Sequence, residues 1–383
     1  MAVDQETFVQ LKDAISRFVR ERLVPNEDRI ENEDDIPAEI LREMREIGLY
    51  GLSIPEEYGG IGLSMSQEAE IVFELGQTSL AFRSAVGTNI GIGSQGIVID
   101  GTEEQKKYWL PKLAEGMTAS FALTEPEVGS DAASVKTVAV RDGDDYLITG
   151  TKRYITNAVR AGVFTVMARS EPDKKGADGI SSFIVPADTP GITLGKIDKK
   201  MGQRGTKTCD VIFDKCRVPA SSIIGGKPGM GFRTAMKVLD RGRLHISALS
   251  CGMAERLIRD ALAYAADRKQ FGAPIVSFQL VQAMLADSRT EAMAARALVR
   301  DTARKFDARE PTSMEAACCK LFATEMVGRV ADRAVQIHGG AGYMAEYKVE
   351  RFYRDVRLLR IYEGTTQIQQ IVIARNMLKQ LQG

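Results

Sequence analysis

The chain has 383 residues, 44% hydrophobic and 27% charged, which is long for one simple core and suits two or three packed units of ordinary soluble composition. Lys+Arg and Asp+Glu both number 51, so the basic excess of a polyanion-binding enzyme is missing. Met1 to Glu6 lacks the basic start and apolar core of a secretory leader, no apolar run reaches the ~18 residues of a membrane span, and Cys209, Cys216, Cys251, Cys318 and Cys319 with His245 and His338 make no CxxC or zinc spacing; the expectation is a cytoplasmic protein without disulfides or a metal.

The first part of the chain reads as helical. Phe8, Leu11, Ile15, Phe18 and Val19 recur at spacings of three and four, which places them on one helix face. An acidic patch from Glu31 to Asp35 interrupts the pattern. Pro37 then stands where a first helical turn would begin, ahead of Ile40, Leu41, Met44 and Ile47. Residues 55–60 read as a loop, and helical signal returns over about 66–80 and 102–113. Beyond that the period changes. Residues 135–140 and 146–149 flank Asp142-Gly143, a hairpin signal. Short strand candidates follow at 163–168, 182–185, 192–194 and 210–213, without long helices between them, so a compact β unit of mixed or antiparallel strands is expected. After Gly231 a helical stripe resumes with Ile246, Leu249, Met253, Leu257 and Ala261. Further helices are expected over about 277–305, 313–336 and 366–381, lengths that suit a bundle. In the last of these, Ile368, Ile371, Val372, Leu378 and Leu381 could line one face. The three units divide at 1–119, 120–229 and 230–383.

Gly91-Ile92-Gly93-Ser94-Gln95-Gly96 matches GxGxxG, but the residues before it read as helix and short loop. A dinucleotide fingerprint needs a strand there, so the match is set aside.

Five segments carry chemistry: Thr124-Glu125-Pro126-Glu127-Val128-Gly129-Ser130-Asp131, Tyr154-Ile155-Thr156-Asn157, Arg268-Lys269-Gln270-Phe271-Gly272, Gln336-Ile337-His338-Gly339-Gly340-Ala341-Gly342, and Ile361-Tyr362-Glu363-Gly364-Thr365-Thr366-Gln367-Ile368-Gln369. In this order, over almost the whole chain, they resemble the acyl-CoA dehydrogenase family. The resemblance implies an N-terminal all-α domain, a middle β domain and a C-terminal four-helix bundle. It also implies FAD as cofactor, an acyl-CoA substrate, an electron-transferring flavoprotein as acceptor, and a homotetramer or dimer.

Glu363 matches the family's catalytic glutamate. A carboxylate can take the α-proton of a thioester if an apolar site raises its pKa, and donors to the thioester oxygen make that proton more acidic. Read from the residues alone, Glu363 could equally be an acidic residue near a helix start. Family members that carry the base elsewhere hold it on the first long helix of the third domain. The matching position here is Gly242, which cannot act as a base.

By the same resemblance Phe121, Leu123, Thr124, Tyr154 and Thr156 surround the flavin ring, with Tyr154 where the family often has Trp. Arg268, Gln270, Phe271 and Gln279 match residues that hold the FAD phosphates and adenosine across a subunit interface. Gln336, Gly339, Gly340, Thr365 and Gln367 match further cofactor contacts. Ser130, Asp240, Arg243 and Tyr362 match the substrate side. His338 reads as a buried or interface histidine without a catalytic part.

The acyl group is expected to be a short or medium saturated chain. An alternative comes from Phe82-Arg83-Ser84-Ala85, which resembles the segment of glutaryl-CoA dehydrogenases that grips a distal carboxylate. Gly87 stands where that subfamily has a second serine, and its acidic helper falls on Gly76. Arg83 could instead be paired within the helical domain. Two other classes stay open: an acyl-CoA oxidase that reduces oxygen directly, and a non-enzymatic scaffold on the same fold.

Overall fold

The computed structural model describes residues 3–382. Met1 and Ala2, the start of the segment read for a leader, and Gly383 lie outside the described residues. The first unit contains α1 (Gln5–Phe18), α2 (Glu27–Glu33), α3 (Ala38–Glu46), α4 (Met65–Leu75), α5 (Leu80–Gly87), α6 (Gln95–Asp100) and α7 (Glu103–Ala114). Local chemistry sets several starts. The Asp4 carboxylate accepts from the backbone N–H groups of Glu6 and Thr7, both at 3.0 Å, and capping boxes start α4 at Ser64 with Gln67 and α7 at Thr102 with Gln105. Phe8, Ile15 and Val19 are buried as the periodicity predicts. Pro37 caps α3 from just outside the helix instead of opening its first turn.

The helix expected over about 66–80 is broken after Leu75. A Cβ on Gly76 would lie 2.6 Å from the Leu249 carbonyl oxygen, and one on Gly252 would lie 2.2 Å from that of Phe73. Two chain segments cross there backbone to backbone, which only glycine permits. Gly76 is therefore a packing position, and an acidic side chain has no room on it. The GxGxxG match follows α5 and a π-turn at Thr88–Gly93, not a strand.

The middle unit is one mixed, curled sheet: β1 (Thr118–Ala122), β2 (Val138–Asp142), β3 (Asp145–Thr156), β4 (Ala161–Arg169), β5 (Ile180–Pro186), β6 (Ile192–Leu194) and β7 (Thr208–Pro219). Its order is β1-β4-β2-β3-β7-β6, with β5 paired to β4. The Asp142-Gly143 hairpin forms, with Asp142 facing Asp145 across β2 and β3. β1, which carries no alternating strand pattern in the sequence, pairs parallel to β4.

The third unit is the bundle: α8 (Gly231–Asp267), α9 (Gln279–Asp307), α10 (Ser313–His338) and α12 (Thr366–Gln382), with α11 (Lys348–Arg357) packed beside α10. Ile246, Leu249, Met253, Leu257 and Ala261 are buried in its core, together with Val72, Phe73 and Leu80 from the first unit. The expected apolar face of α12 is not covered within the chain: Ile371, Leu378 and Leu381 are exposed. Among the described residues no helix is long and apolar enough to cross a membrane.

Candidate active site

A cavity of about 670 Å³ opens where the three units meet, within the range of small-molecule sites. Arg83 reaches it from α5. Phe121, Leu123, Thr124 and Ser130 come from β1 and the loop after it, Tyr154 and Thr156 from the end of β3, Arg243 from α8, and Tyr362 with Glu363 from the turn before α12. Ten residues named from sequence thus share one space.

The loop after β1 is fixed from below. The Glu125 carboxylate accepts from the Thr137 N–H at 2.9 Å, the Thr137 hydroxyl at 2.6 Å, the Lys136 N–H at 2.6 Å and the Lys152 ammonium at 2.7 Å. Lys152 also donates to the Leu123 carbonyl at 3.1 Å. Both charged side chains are buried. Burial alone would push the Glu125 carboxyl up, but Lys152 and the Thr137 donors hold it below its usual range. Burial pulls the Lys152 ammonium down to about 8 against the attraction of Glu125. The pair makes the wall that carries Leu123 and Thr124 a rigid one.

Tyr154 and Asn157 both have left-handed backbones, φ +58° and +61°. Asn157 is held there because its side-chain amide donates to the Ser84 carbonyl at 2.9 Å and the Thr88 hydroxyl at 3.0 Å. These bonds tie the end of β3 to α5 and so bring Thr156 and Arg83 to the same cavity. Two threonine hydroxyls and the apolar faces of Phe121, Leu123 and Tyr154 on one wall suit a flat heteroaromatic ring with polar edges.

Glu363 has φ +53° and Gly364 φ +89°. A non-glycine residue in this region is strained by about 1–3 kcal/mol and needs its surroundings to hold it. They do: Gln369 donates to the carbonyls of Glu363 at 3.2 Å and Gly364 at 2.9 Å, and Lys320 donates to that of Gly364 at 2.7 Å. A Cβ on Gly364 would lie 2.6 Å from the Gln369 amide nitrogen, so glycine is needed there for space as well as for φ. Glu363 Oε2 is shut off from solvent without a hydrogen-bond partner among the described residues. A Cβ on Gly242 would stand 2.1 Å from it, so the carboxylate fills the space that a side chain at 242 would need. Burial raises the Glu363 pKa against the opposing positive charges of Arg83, Lys320 and Arg243. The Glu363 backbone N–H makes no hydrogen bond among the described residues.

Arg83 is buried, and its Nε and Nη2 have no partner among the described residues. A Cβ on Gly87 would lie 2.7 Å from its Nη1 and 2.8 Å from its Cζ. The guanidinium thus lies flat on Gly87, and a serine there would displace it. Arg243 pairs with Asp240, which also accepts from the Ser313 hydroxyl at 3.3 Å; Asp240 sets the orientation of Arg243 and does not itself line the cavity.

The remaining residues named from sequence lie elsewhere. Arg268, Gln270, Phe271 and Gln279 are exposed on the hairpin after α8 and the start of α9, and Gln336, Gly339 and Gly340 are exposed at the end of α10. These two groups share one end of the bundle, where Tyr264 stacks on His338 with centroids 4.2 Å apart. Gln336 is roughly 24 Å of helix rise beyond Lys320, so a single chain does not bring them to its own cavity. Thr365 caps α12 by accepting from the Ile368 N–H at 3.3 Å, and Gln367 is exposed. His338 donates from Nδ1 to the Ala334 carbonyl at 2.8 Å, a packing role. Lys152 and Lys320 stand in none of the motifs read from sequence, and Asn157 and Gln369 stand in two of them without an assigned role; each acts through a neighbour that has one.

Three family models cover the chain: the acyl-CoA dehydrogenase N-terminal domain over 5–117, the middle domain over 120–216 and the C-terminal domain over 229–378. An acryloyl-CoA reductase (NADH) of Anaerotignum propionicum is 43% identical over 372 residues, covering 96% of this chain and 94% of that protein. An acyl-CoA dehydrogenase of Bacillus anthracis solved with FAD superposes with TM-score 0.91 at 34% identity, covering 99% of this chain and 68% of the other. A glutaryl-CoA dehydrogenase of Mycobacterium smegmatis superposes with TM-score 0.91 at 32% identity, covering 98% and 95%. The chain belongs to the acyl-CoA dehydrogenase family of oxidoreductases.

Proposed function

We propose that the protein is a cytoplasmic enzyme that binds FAD and oxidises a short- or medium-chain acyl-CoA to the trans-2-enoyl-CoA, with Glu363 as the base. The observation that carries this reading is the Glu363 carboxylate: at the cavity, raised in pKa, with Oε2 shut off from solvent and without a hydrogen-bond partner among the described residues. Such a group accepts a proton readily once substrate fills the site. The free Glu363 N–H is suited to the thioester oxygen, where it would stabilise charge that builds as the α-proton leaves. Arg243, held by Asp240, and Ser130 at the cavity mouth suit the coenzyme A arm, and Tyr362 closes the acyl side. FAD, when bound, would supply the acceptor for the β-hydrogen as hydride. Phe121, Leu123, Thr124, Tyr154 and Thr156 would hold its ring, with Thr365 and Gln367 as further contacts. Arg268, Gln270, Phe271, Gln279, Gln336, Gly339 and Gly340 would reach the cofactor of a neighbouring subunit, which calls for a homotetramer or dimer. Domain limits at 119/120 and 229/230 and an electron-transferring flavoprotein as acceptor complete the reading.

A second reading rests on Arg83. A buried guanidinium with free donors is costly without an anion, and a dicarboxylyl-CoA would supply one at its distal end, with or without decarboxylation. One experiment separates the two readings: an absorption spectrum of the purified protein, then anaerobic titration with butyryl-, octanoyl- and glutaryl-CoA. Flavin absorbance bleached by butyryl- or octanoyl-CoA supports the first reading, and a colourless protein that takes up no FAD would sink it. Bleaching by glutaryl-CoA that drops at least tenfold in Arg83→Ala supports the second; equal glutaryl activity in both proteins rules it out.

Gly242→Ala supplies an independent check. The new methyl would occupy the place of Glu363 Oε2 and push the carboxylate by about 1 Å, a displacement worth on the order of a hundredfold in rate. The expected result is a loss of that size in kcat with an unchanged circular dichroism spectrum.

A further inference from the structure

Lys320 is a buried cation that the mechanism above leaves unused. It sits on the core side of α10 between Cys319 and Ala323 and is fully buried. Burying an ammonium group is costly unless a counter-charge compensates it. Yet Lys320 has no carboxylate within ion-pair distance among the described residues. Its hydrogen bond goes instead to a neutral group, the Gly364 carbonyl at 2.7 Å. That carbonyl belongs to the left-handed turn that presents Glu363, and Gln369 also donates to it and to the Glu363 carbonyl.

We propose that Lys320 is a positioning residue for Glu363: its ammonium group pins the Gly364 carbonyl away from the cavity, which leaves the Glu363 N–H and carboxylate facing it, and its charge favours the ionised carboxylate. The inference rests on the reading of Glu363 as the base. The charged or titratable groups that face Glu363 are Arg83 from α5, Arg243 from α8, Lys320 from α10 and the adjacent Tyr362. The other charges that act on Lys320 are Arg243, from α8, and Glu325, further along its own helix and engaged with Arg360 and Thr366. Burial draws the Lys320 ammonium down to about 8, opposed by Glu363; below that pH the lysine is charged and favours the ionised carboxylate. Removing that charge leaves burial less opposed and raises the Glu363 pKa further.

Two variants divide the hydrogen bond from the charge. Lys320→Gln keeps a donor for the Gly364 carbonyl and removes the charge; Lys320→Met removes both. In the holoprotein, the acid limb of kcat/KM should move upward by about one pH unit in each, a roughly tenfold loss on that limb, with KM little changed. Amide hydrogen exchange of the segment 358–369 should quicken in Lys320→Met and stay close to wild type in Lys320→Gln. If Lys320→Met does not fold, Lys320→Gln alone decides the charge. An unmoved acid limb in Lys320→Gln, or wild-type exchange in a folded Lys320→Met, overturns the proposal. Glu363→Gln is the control: full activity there removes the base itself, whereas its inactivity beside unchanged Lys320 variants removes only the role given to Lys320.

Discussion

Glu363→Gln is expected to slow flavin reduction by acyl-CoA by roughly 10²–10⁴-fold, the usual contribution of a positioned base, while leaving acyl-CoA binding largely intact. The amide has the shape of the carboxylate and fits the same space beside Gly242, so the fold has no reason to change. A stability signature should accompany the loss. The Glu363 pKa is raised in the folded protein from its ordinary 4.5. Between those two values the native state holds a proton that the unfolded chain has released, so native stability falls as pH rises through the window. Above it, the folded protein carries a buried ionised carboxylate with no hydrogen bond to Oε2. Glutamine carries no such charge. The variant should therefore melt higher than wild type near pH 8 and lose that advantage toward pH 5. Stopped-flow anaerobic reduction checks the rate, and thermal melts at the two pH values check the sign. Undiminished bleaching of the flavin by substrate would remove the mechanism.

The second large effect is expected at Lys152. In Lys152→Met the Glu125 carboxylate stays buried while its counter-charge is gone, a change worth about 3–5 kcal/mol. The Leu123 carbonyl also loses a donor. The loop that carries Leu123 and Thr124 should loosen, so FAD would be retained less well on gel filtration as well as the protein unfolding at lower urea. Glu125→Gln should cost less. The amide oxygen can take the place of Oε1 and still accept from the Thr137 N–H and hydroxyl, so only the Lys136 N–H, which bonds Oε2, loses its acceptor, and Lys152, already lowered to about 8, can shed its proton at modest cost. Equal urea midpoints for wild type and Lys152→Met would show that the pair does not hold the loop.

Periodicity made the helical, β, helical order legible because most long elements carry an apolar stripe of regular spacing. It failed where burial comes from both sides or from few residues. Thr118 to Ala122 has no alternation, since β1 is covered on both faces and its partner β4 lies some forty residues ahead. In α11 only Val349, Phe352 and Val356 are apolar and buried, and the surrounding charges hid the stripe. The site divides the same way. Glu363, Thr124 and Arg83 belong to segments with a recognisable pattern. Lys320 and Lys152 do not: a lysine on a helix or strand reads as a solvated face until the fold closes over it. Gly242 was legible only as a residue that cannot be a base, and its real part is to leave room for one. The group from Arg268 to Gly340 shows the limit of reading one chain: these side chains lie exposed and away from its own cavity, and only the proposed oligomer would give them a cofactor to touch.

The vacancy at Gly242 constrains how such a protein could evolve. One small volume admits a carboxyl group from the turn before α12 or from α8, never both. A lineage that moves its base between these places must cross an intermediate that is either crowded or without a base. The most passable order loses the acid at 363 first, through a chain that still binds its ligands but does no chemistry. Transplanting the base in the laboratory by Gly242→Glu alone should therefore fail, and succeed only in a chain whose residue 363 has already been made small.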